Sequence, residues 1–433
     1  MRVCCESLGC RSNQSEIEDI ARQLVAIGCT IVDRCDDPDL CIINTCAVTS
    51  EAERRSQRAI ARVTRRLPQA KLVVTGCYAT RVLMDGLSVP GADWLIGNEQ
   101  KEQVVAILAP LVELRAGSPA CDRVPESSRD ECAYRTNYIP ALHTRAFLKV
   151  QDGCDNACAY CLTRILRGPS RSSPVSLVIR QVQELVELGY VEIVLCGVNL
   201  GAYGRDLGFS GGLSGLVKAI LRDTDVTRLR LSSIEPWDVD GDFLDLWTEP
   251  RLCQHLHLPL QSGCDATLGR MERNGSIREF VRLIELARSV APDMAVTTDV
   301  IVGFPGESEA DFEASYAAIA EIGFSKLHVF PFSARPHTSA FHMPDHVSAV
   351  TIRARARKMR RLGVRLNLEY GQRHVGKRAT VLWERLDSGD RWSGLTGNYI
   401  RVVAYSKSSL HNTLSRVRLL RIEDGSMVGQ LEP

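Results

Sequence analysis

The stretch QDGCDNACAYC, Gln151–Cys161, carries three thiols at Cys154, Cys158 and Cys161 and then stops. A closed zinc site takes four ligands, usually as two close pairs. Here a triplet stands alone, and the nearest further candidates, Cys132 and His143, lie upstream in a polar segment. An iron–sulfur cluster held by three thiolates leaves one iron without a protein ligand, which suits chemistry better than scaffolding. Asp152, Asp155 and Asn156 in the same stretch argue against a plain core segment. A metal site is the expectation, with four-ligand zinc as its competitor.

The position of the triplet decides the fold. AFLKV, just before it, reads as a strand, and further strand patterns follow in VEIVLCG, RLRLSS, HLHLPL, VTTDVIVGF and KLHVFPF. Helical periodicity separates them, for example over Ser176–Leu188, Ile277–Val290 and Glu309–Ile322. Six βα units in about 190 residues predict a partial (β/α)6 barrel of the TIM type, because a full eight-unit barrel takes about 250 residues. The triplet then occupies the first βα loop, on the C-terminal face where barrel enzymes build their sites.

Upstream, RVCCESL, LCIINT and KLVVTGC read as buried strands, with helices expected over Ser15–Ile27 and Glu51–Leu67. That alternation predicts an α/β layer with a mainly parallel sheet. RAGSPACDRVPESSRDECAYRTNYIP is polar, broken by proline, and reads as a linker. After Tyr370, RATVLWERL, YIRVVAYS and SRVRLLRIE read as short strands with glycine turns, enough for a small all-β barrel. The expected organisation is α/β overall: an α/β domain over 1–114, a linker over 115–140, the partial barrel over 141–370 and a β-barrel over 371–433.

Composition bounds the class. At 433 residues, 45% hydrophobic and 24% charged, the chain has the material for two or three globular cores. No apolar run approaches the roughly 18 residues that span a bilayer. The opening MRVCCESLGCRSNQ lacks the apolar stretch of a secretory signal, so a cytoplasmic protein with no membrane partner is expected. In that compartment thiols stay reduced, and sixteen cysteines point to metal binding or catalysis before disulfides.

A second set of thiols stands in SLGCRSNQ, INTCAVTSEAERRS and VVTGCYA, at Cys10, Cys46 and Cys77. Each follows a predicted strand of the first domain, so all three converge at one sheet edge if the sheet is parallel. Ordinary small core residues are the competing account. Cys4, Cys5 and Cys41 lie inside strand patterns and read as core. Cys196, Cys253 and Cys264 match no ligand pattern.

Charge is even overall, at +1, but not locally. Arg54, Arg55, Arg58, Arg62, Arg65 and Arg66 share one side of a predicted helix, opposite Ile60, Val63 and Leu67. Arg353, Arg357, Arg360, Arg361 and Arg365 repeat the pattern opposite Ile352, Met359, Leu362 and Leu366. Two arginine faces fit a phosphate-backbone footprint, with Arg54, Arg58, Arg62, Arg65, Arg357 and Arg361 as RNA-binding candidates. A solvated helix face is the plainer account of either one.

Cys154-x3-Cys158-x-Tyr160-Cys161 after the first barrel strand resembles the radical S-adenosylmethionine superfamily. The resemblance implies that the amino and carboxylate groups of S-adenosylmethionine supply the missing ligand to the fourth iron. It also implies that Tyr160 lies near the adenine, and that Gly197 and Asn199 of CGVN meet the methionine amino group. Ser233 and Glu235 of SSIEP, Gln261 of PLQSGCD and the VGFPGE loop are similarly placed to line the cofactor. Gly303 and Gly306 of that loop equally fit plain turn glycines.

Nearly the whole chain resembles the methylthiotransferases within that superfamily. The resemblance implies an auxiliary [4Fe-4S] cluster on Cys10, Cys46 and Cys77, a second one on the triplet, and a terminal barrel like the TRAM module. NQSEIE, INTCAVTSEAERRS, KVQDGC and GVNLGAYG look most like the branch acting on N6-threonylcarbamoyladenosine in tRNA. The isopentenyladenosine branch and the branch modifying a ribosomal-protein aspartate carry other words there. Thr163–Arg164 and RMERNGS depart from the family pattern. The implied partners are the tRNA anticodon stem-loop, an electron donor such as flavodoxin or ferredoxin, and a sulfur donor. A methylthiotransferase acting on a protein side chain and a non-catalytic RNA-binding iron–sulfur sensor are the competing classes.

Overall fold

The computed structural model describes residues 1–116 and 144–432. The linker expected over 115–140, with Cys121 and Cys132, and His143 beyond it, lies almost wholly outside them. The chain forms two compact units: the N-terminal residues together with Ile165–Gly168, and Thr144–Arg164 together with the chain from Pro169 onward.

In the first unit, strands β1 (Arg2–Ser7), β2 (Thr30–Ile31), β3 (Leu40–Thr45), β4 (Lys71–Gly76) and β5 (Trp94–Ile96) form one parallel sheet in the order β2-β1-β3-β4-β5. β3 is buried at every position, as a central strand covered on both faces should be. Helices α1 (Arg11–Ala26), α2 (Ser50–Arg66), α3 (Cys77–Met84) and α4 (Val104–Ala116) connect and flank the strands. Val3, Ile17, Leu24, Leu40, Ile42, Val73 and Leu108 form the core. α1 begins earlier than its apolar periodicity announces. Cys10 takes the N-cap position, and the first turn, Arg11–Gln14, is polar yet holds the wholly buried Asn13.

In the second unit, six parallel strands appear where the alternation placed them: β6 (Ala146–Lys149), β9 (Glu192–Cys196), β10 (Arg228–Leu231), β11 (His255–His257), β12 (Ala295–Val302) and β13 (Lys326–Pro331). They form two sheets, β10-β9-β6 and β11-β12-β13, joined by the bridges Leu229↔Leu252 and Ser233↔His257. A two-residue ribbon, β7 (Gln151–Asp152) with β8 (Arg171–Ser172), follows the first strand. The helices after β6 are α5 (Thr163–Arg167), whose residues from Ile165 on belong to the first unit, and, in the second, α6 (Val175–Glu187), α7 (Gly212–Asp223), α8 (Gly241–Leu244), α9 (Asp265–Arg270), α10 (Ile277–Val290), α11 (Glu309–Ile322) and α12 (Ala349–Gln372). Ile193, Leu195, Leu229, Leu231, Val296 and Val300 belong to the main apolar core of this unit. Strand alternation leaves Glu192, Val194, Cys196, Arg230, Thr297 and Asp299 on the other face.

The tail closes into a barrel in the order β14-β15-β16-β18-β17. β14 (Arg378–Ser388), β16 (Arg401–Tyr405) and β17 (Leu414–Glu423) were legible as strands, whereas β15 (Arg391–Thr396) and β18 (Ser426–Leu431) were not. Gly389 and Gly425 are turn glycines with positive φ. Gly394 and Gly429 instead lie inside strands, where a Cβ would come within 2.3 Å of Leu382 O and of Val417 Cγ1 respectively. A glycine inside a strand marks a close approach, and here it hid two strands from the periodicity.

Candidate active site

The triplet loop is fastened at its root. Gly153, at φ +71°, turns the chain out of β7 toward Cys154. The Gln151 amide donates to the Gly153 carbonyl at 2.8 Å and to Ser170 Oγ at 2.9 Å, while its Oε1 accepts the Asn199 N–H at 2.8 Å. One side chain thus ties the triplet loop to the loop after β9. Gly197 is needed there, because a Cβ would meet Gln151 Oε1 at 2.9 Å and Leu200 Cα at 3.0 Å.

Cys154 is buried and Cys158 and Cys161 are half-buried. Burial pushes the Cys154 thiol up to about 11 and raises that of Cys158, against which the Arg273 guanidinium works. Arg273 is the residue the sequence reading missed, although it lies in RMERNGS, a departure already noted. Its Nη1 donates to Cys158 Sγ at 3.9 Å and its Nη2 pairs with Glu235 Oε2 at 2.8 Å. The guanidinium also bonds the Pro259 carbonyl and lies over the Trp237 ring at 4.7 Å. Burial raises Glu235, with Arg273 opposing, so the carboxyl and the triplet share one electrostatic neighbourhood. A cavity of about 400 Å³ adjoins, lined by Trp237, Leu260, Arg273, Asn274 and Phe280 among others.

Of the other expected residues, Tyr160 stands in the triplet loop itself and the rest follow neighbouring strands. Tyr160 meets Phe304 edge-on at 6.5 Å. Gln261 holds φ +70°, an uncommon backbone state for a residue with a side chain, and its N–H bonds the Asp299 carbonyl at 2.9 Å. Ser233 is half-buried, while Ser232, on the other side of the strand, buries an Oγ without a hydrogen-bond partner. Asn199 Oδ1 is likewise buried and unpartnered. Such orphans are expected where a polar group is to be bound. Gly303 and Gly306 are both turn glycines at positive φ.

In the first unit, Cys10, Cys46 and Cys77 all follow the carboxyl ends of adjacent strands β1, β3 and β4. Cys10 stands at the N-cap position of α1, Cys77 opens α3 after Gly76 at φ +97°, and Cys46 precedes α2. Ser56 of α2 holds the Cys46 backbone, accepting its N–H at 3.0 Å and donating to its carbonyl at 2.8 Å. Burial pushes the Cys46 thiol up to about 12, with Cys77 and Cys10 near enough to add to it. A Cβ on Gly9 would meet Cys46 Sγ at 2.9 Å. Ser7, Asn44 and Thr75, in register across β1, β3 and β4, each carry a side-chain oxygen without a hydrogen-bond partner, as does Asn98 beside Cys77. Among the described residues no three Cys, His, Asp or Glu side chains close around a single ion. The thiolates of a four-iron cluster bind different irons and stand farther apart than that. Both thiol sets suit such a cluster in donor chemistry, and each lies beside unpartnered polar atoms.

Arg54, Arg55, Arg58, Arg62, Arg65 and Arg66 are all exposed on α2, and Arg353, Arg357, Arg360, Arg361 and Arg365 on α12. Arg355 turns the other way, buried on Glu307 at 2.7 Å. No helix among the described residues is long and apolar enough to cross a membrane.

A partial barrel with a cysteine triplet on its first βα loop defines a class, and residues 148–319 match the Radical SAM superfamily. Residues 2–97 match Uncharacterized protein family UPF0004. The threonylcarbamoyladenosine tRNA methylthiotransferase MtaB of Thermotoga maritima is 37% identical over 391 residues, 88% of this chain and 86% of the relative. The protein of that name from Bacillus subtilis is 32% identical over 97% of this chain and 94% of its own. The tRNA-2-methylthio-N(6)-dimethylallyladenosine synthase of Cereibacter sphaeroides is 31% identical over 98% and 97%. The chain belongs to the radical S-adenosylmethionine methylthiotransferase family. Among solved structures, the radical S-adenosylmethionine methyltransferase TsrM of Kitasatospora setae shares the fold at a TM-score of 0.53 and 15% identity, covering 89% of this chain and 79% of that one. Membership of the superfamily brings one [4Fe-4S] cluster and S-adenosylmethionine with it.

Proposed function

We propose that the protein adds a methylthio group to carbon 2 of N6-threonylcarbamoyladenosine at position 37 of tRNA. The observation that carries this is the pair of thiol sets, Cys154, Cys158 and Cys161 on the barrel loop and Cys10, Cys46 and Cys77 at one sheet edge, each one ligand short of closure. The threonylcarbamoyladenosine branch is favoured by relatives of that name at 31–37% identity across most of the chain. When bound, the two clusters and S-adenosylmethionine supply the one-electron chemistry and the sulfur and methyl groups. The protein's own work is positioning. Gln151 and Gly197 hold the triplet loop against the loop bearing Asn199. Asn199, Ser233, Glu235 and Gln261, with Tyr160, line the cofactor side, and Arg273 holds the buried Glu235 in place as its ion-pair partner. The arginine faces take tRNA phosphates, a low-potential donor such as flavodoxin or ferredoxin and a sulfur donor serve the clusters, and the setting is the cytoplasm.

Anaerobically reconstituted protein should hold two four-iron clusters, and Cys154, Cys158 and Cys161 changed together to Ala should leave one. Cys46→Ala or Cys77→Ala should abolish methylthiolation while reductive cleavage of S-adenosylmethionine persists. Mass spectrometry of tRNA nucleosides from cells lacking the protein should show loss of the methylthio form of threonylcarbamoyladenosine. Loss of the isopentenyladenosine derivative instead would move the enzyme to the sister branch.

A further inference from the structure

Two asparagines of the first unit each touch a thiol and hold the same short piece of chain. Asn13 Oδ1 accepts the Cys10 thiol at 3.4 Å and an Arg167 Nη2 N–H at 2.6 Å. Asn98 Nδ2 donates to Cys77 Sγ at 3.7 Å and to the Leu166 carbonyl at 2.9 Å. Leu166 and Arg167 belong to Ile165–Gly168, the piece that packs with the first unit although it follows Cys161 closely in sequence. Arg167 is buried, its Nη1 paired with Glu16 Oε1 at 2.8 Å. Glu16 Oε2 in turn takes Lys101 Nζ at 2.5 Å and Asn44 Nδ2 at 3.0 Å. Both buried cations lie near enough to act on thiols, Arg167 on Cys46 and Lys101 on Cys77.

We propose that Asn98 and Arg167 are positioning residues of the auxiliary cluster, which set its reduction potential and hold its ligand edge to the chain that follows the radical triplet. The inference rests on the reading of Cys10, Cys46 and Cys77 as ligands. Reduction adds one negative charge to a cluster. An N–H directed at a ligand sulfur and a buried guanidinium both favour the reduced form, and hydrogen bonds to the sulfurs are among the factors that set such potentials. The low dielectric of a buried site enlarges both effects. A network serving stability alone would leave the potential where it is.

The test uses the full chain with Cys154, Cys158 and Cys161 changed to Ala, so that only the auxiliary cluster contributes signal. Iron content is measured first, then an anaerobic dithionite titration followed by electron paramagnetic resonance. The parent should hold one four-iron cluster. Arg167→Gln and Asn98→Ala should each keep it and lower the reduced-to-oxidised ratio at a fixed potential about tenfold, a shift of about 59 mV for a one-electron couple. Arg167→Lys, which keeps the charge, should recover most of that loss. If Arg167→Gln fails to fold, Asn98→Ala decides alone. Clusters retained with unshifted potentials overturn the inference and leave the ligand reading standing. A parent without iron overturns the ligand reading itself.

Discussion

Gly197 and Gln151 show how little slack the triplet loop has. An alanine methyl at 197 must displace Gln151 Oε1, the acceptor of the Asn199 N–H, and with it the amide that holds the Gly153 carbonyl. Overpacking of this kind costs about 1–3 kcal/mol. Gly197→Ala should therefore lower stability by that amount in urea unfolding, and weaken S-adenosylmethionine binding in equilibrium dialysis. Unchanged values in both would make Gly197 an ordinary loop glycine. At this scale the Cys154, Cys158 and Cys161 spacing stands out in the sequence because it is written along the chain. Arg273 does not, since what defines it is contact with Cys158, 115 residues away.

Helix α2 joins two roles in one element. Thr49 caps it by accepting the Ala52 N–H at 3.1 Å, Glu51 and Glu53 stand in the first turn, and Arg65 and Arg66 in the last, all favourable to the helix dipole. Its buried face, Ser56, Ala59, Ile60 and Val63, packs inward, and Ser56 grips Cys46. The exposed arginines add nothing to that packing. Arg54, Arg58, Arg62 and Arg65 changed together to Gln should leave iron content unchanged and weaken tRNA binding uniformly across tRNA sequences. If they meet phosphates, the slope of log affinity against log salt should flatten by roughly 0.7–0.9 per lost contact. Superimposable salt lines for wild type and variant would return the helix to a solvated face.

Within the second unit, the terminal barrel is fastened to the strand starts of the partial barrel through a buried ion group. Glu192 Oε1 pairs with Arg230 at 2.6 Å and Oε2 with Arg228 at 2.8 Å. Arg230 reaches on to the Gly397 carbonyl at 3.0 Å and lies over the Tyr399 ring at 4.7 Å. Tyr399, at φ +67°, also stacks on His255 at 4.6 Å. Burial alone would push the Glu192 carboxyl up, but the two guanidinium groups outweigh it and hold it down to about 2 from an ordinary 4.5. A carboxyl depressed on folding stabilises above its unfolded value and loses that contribution as pH falls through the folded one. The Glu192 contribution should accordingly be full above about pH 4.5 and drain away toward pH 2. Glu192→Gln, which leaves two buried cations unpaired, should cost about 3–5 kcal/mol at neutral pH. Thermal unfolding of both proteins across pH 2–7 checks this: the gap between them should close in acid, and a constant gap would mean that the charge of Glu192 is not what stabilises.

What the chain determined by itself is whatever depends on near neighbours. The βα alternation, the order of strands and thiols and the two arginine faces all follow from side-chain period and short spacing, and the six parallel barrel strands came out where that period put them. Other features depend on residues that only folding brings together. Arg167 meets Glu16 across 151 residues of sequence, and nothing local in either segment announces a buried ion pair. The strands that hold Gly394 and Gly429 were not read, because only the closing wall of the barrel shows that a side chain has no room there. The row Ser7, Asn44 and Thr75 is polar at a place where each strand, taken alone, reads simply as core. Burial and register are properties of the packed sheet, so the cost of an unpartnered oxygen exists only in the tertiary structure.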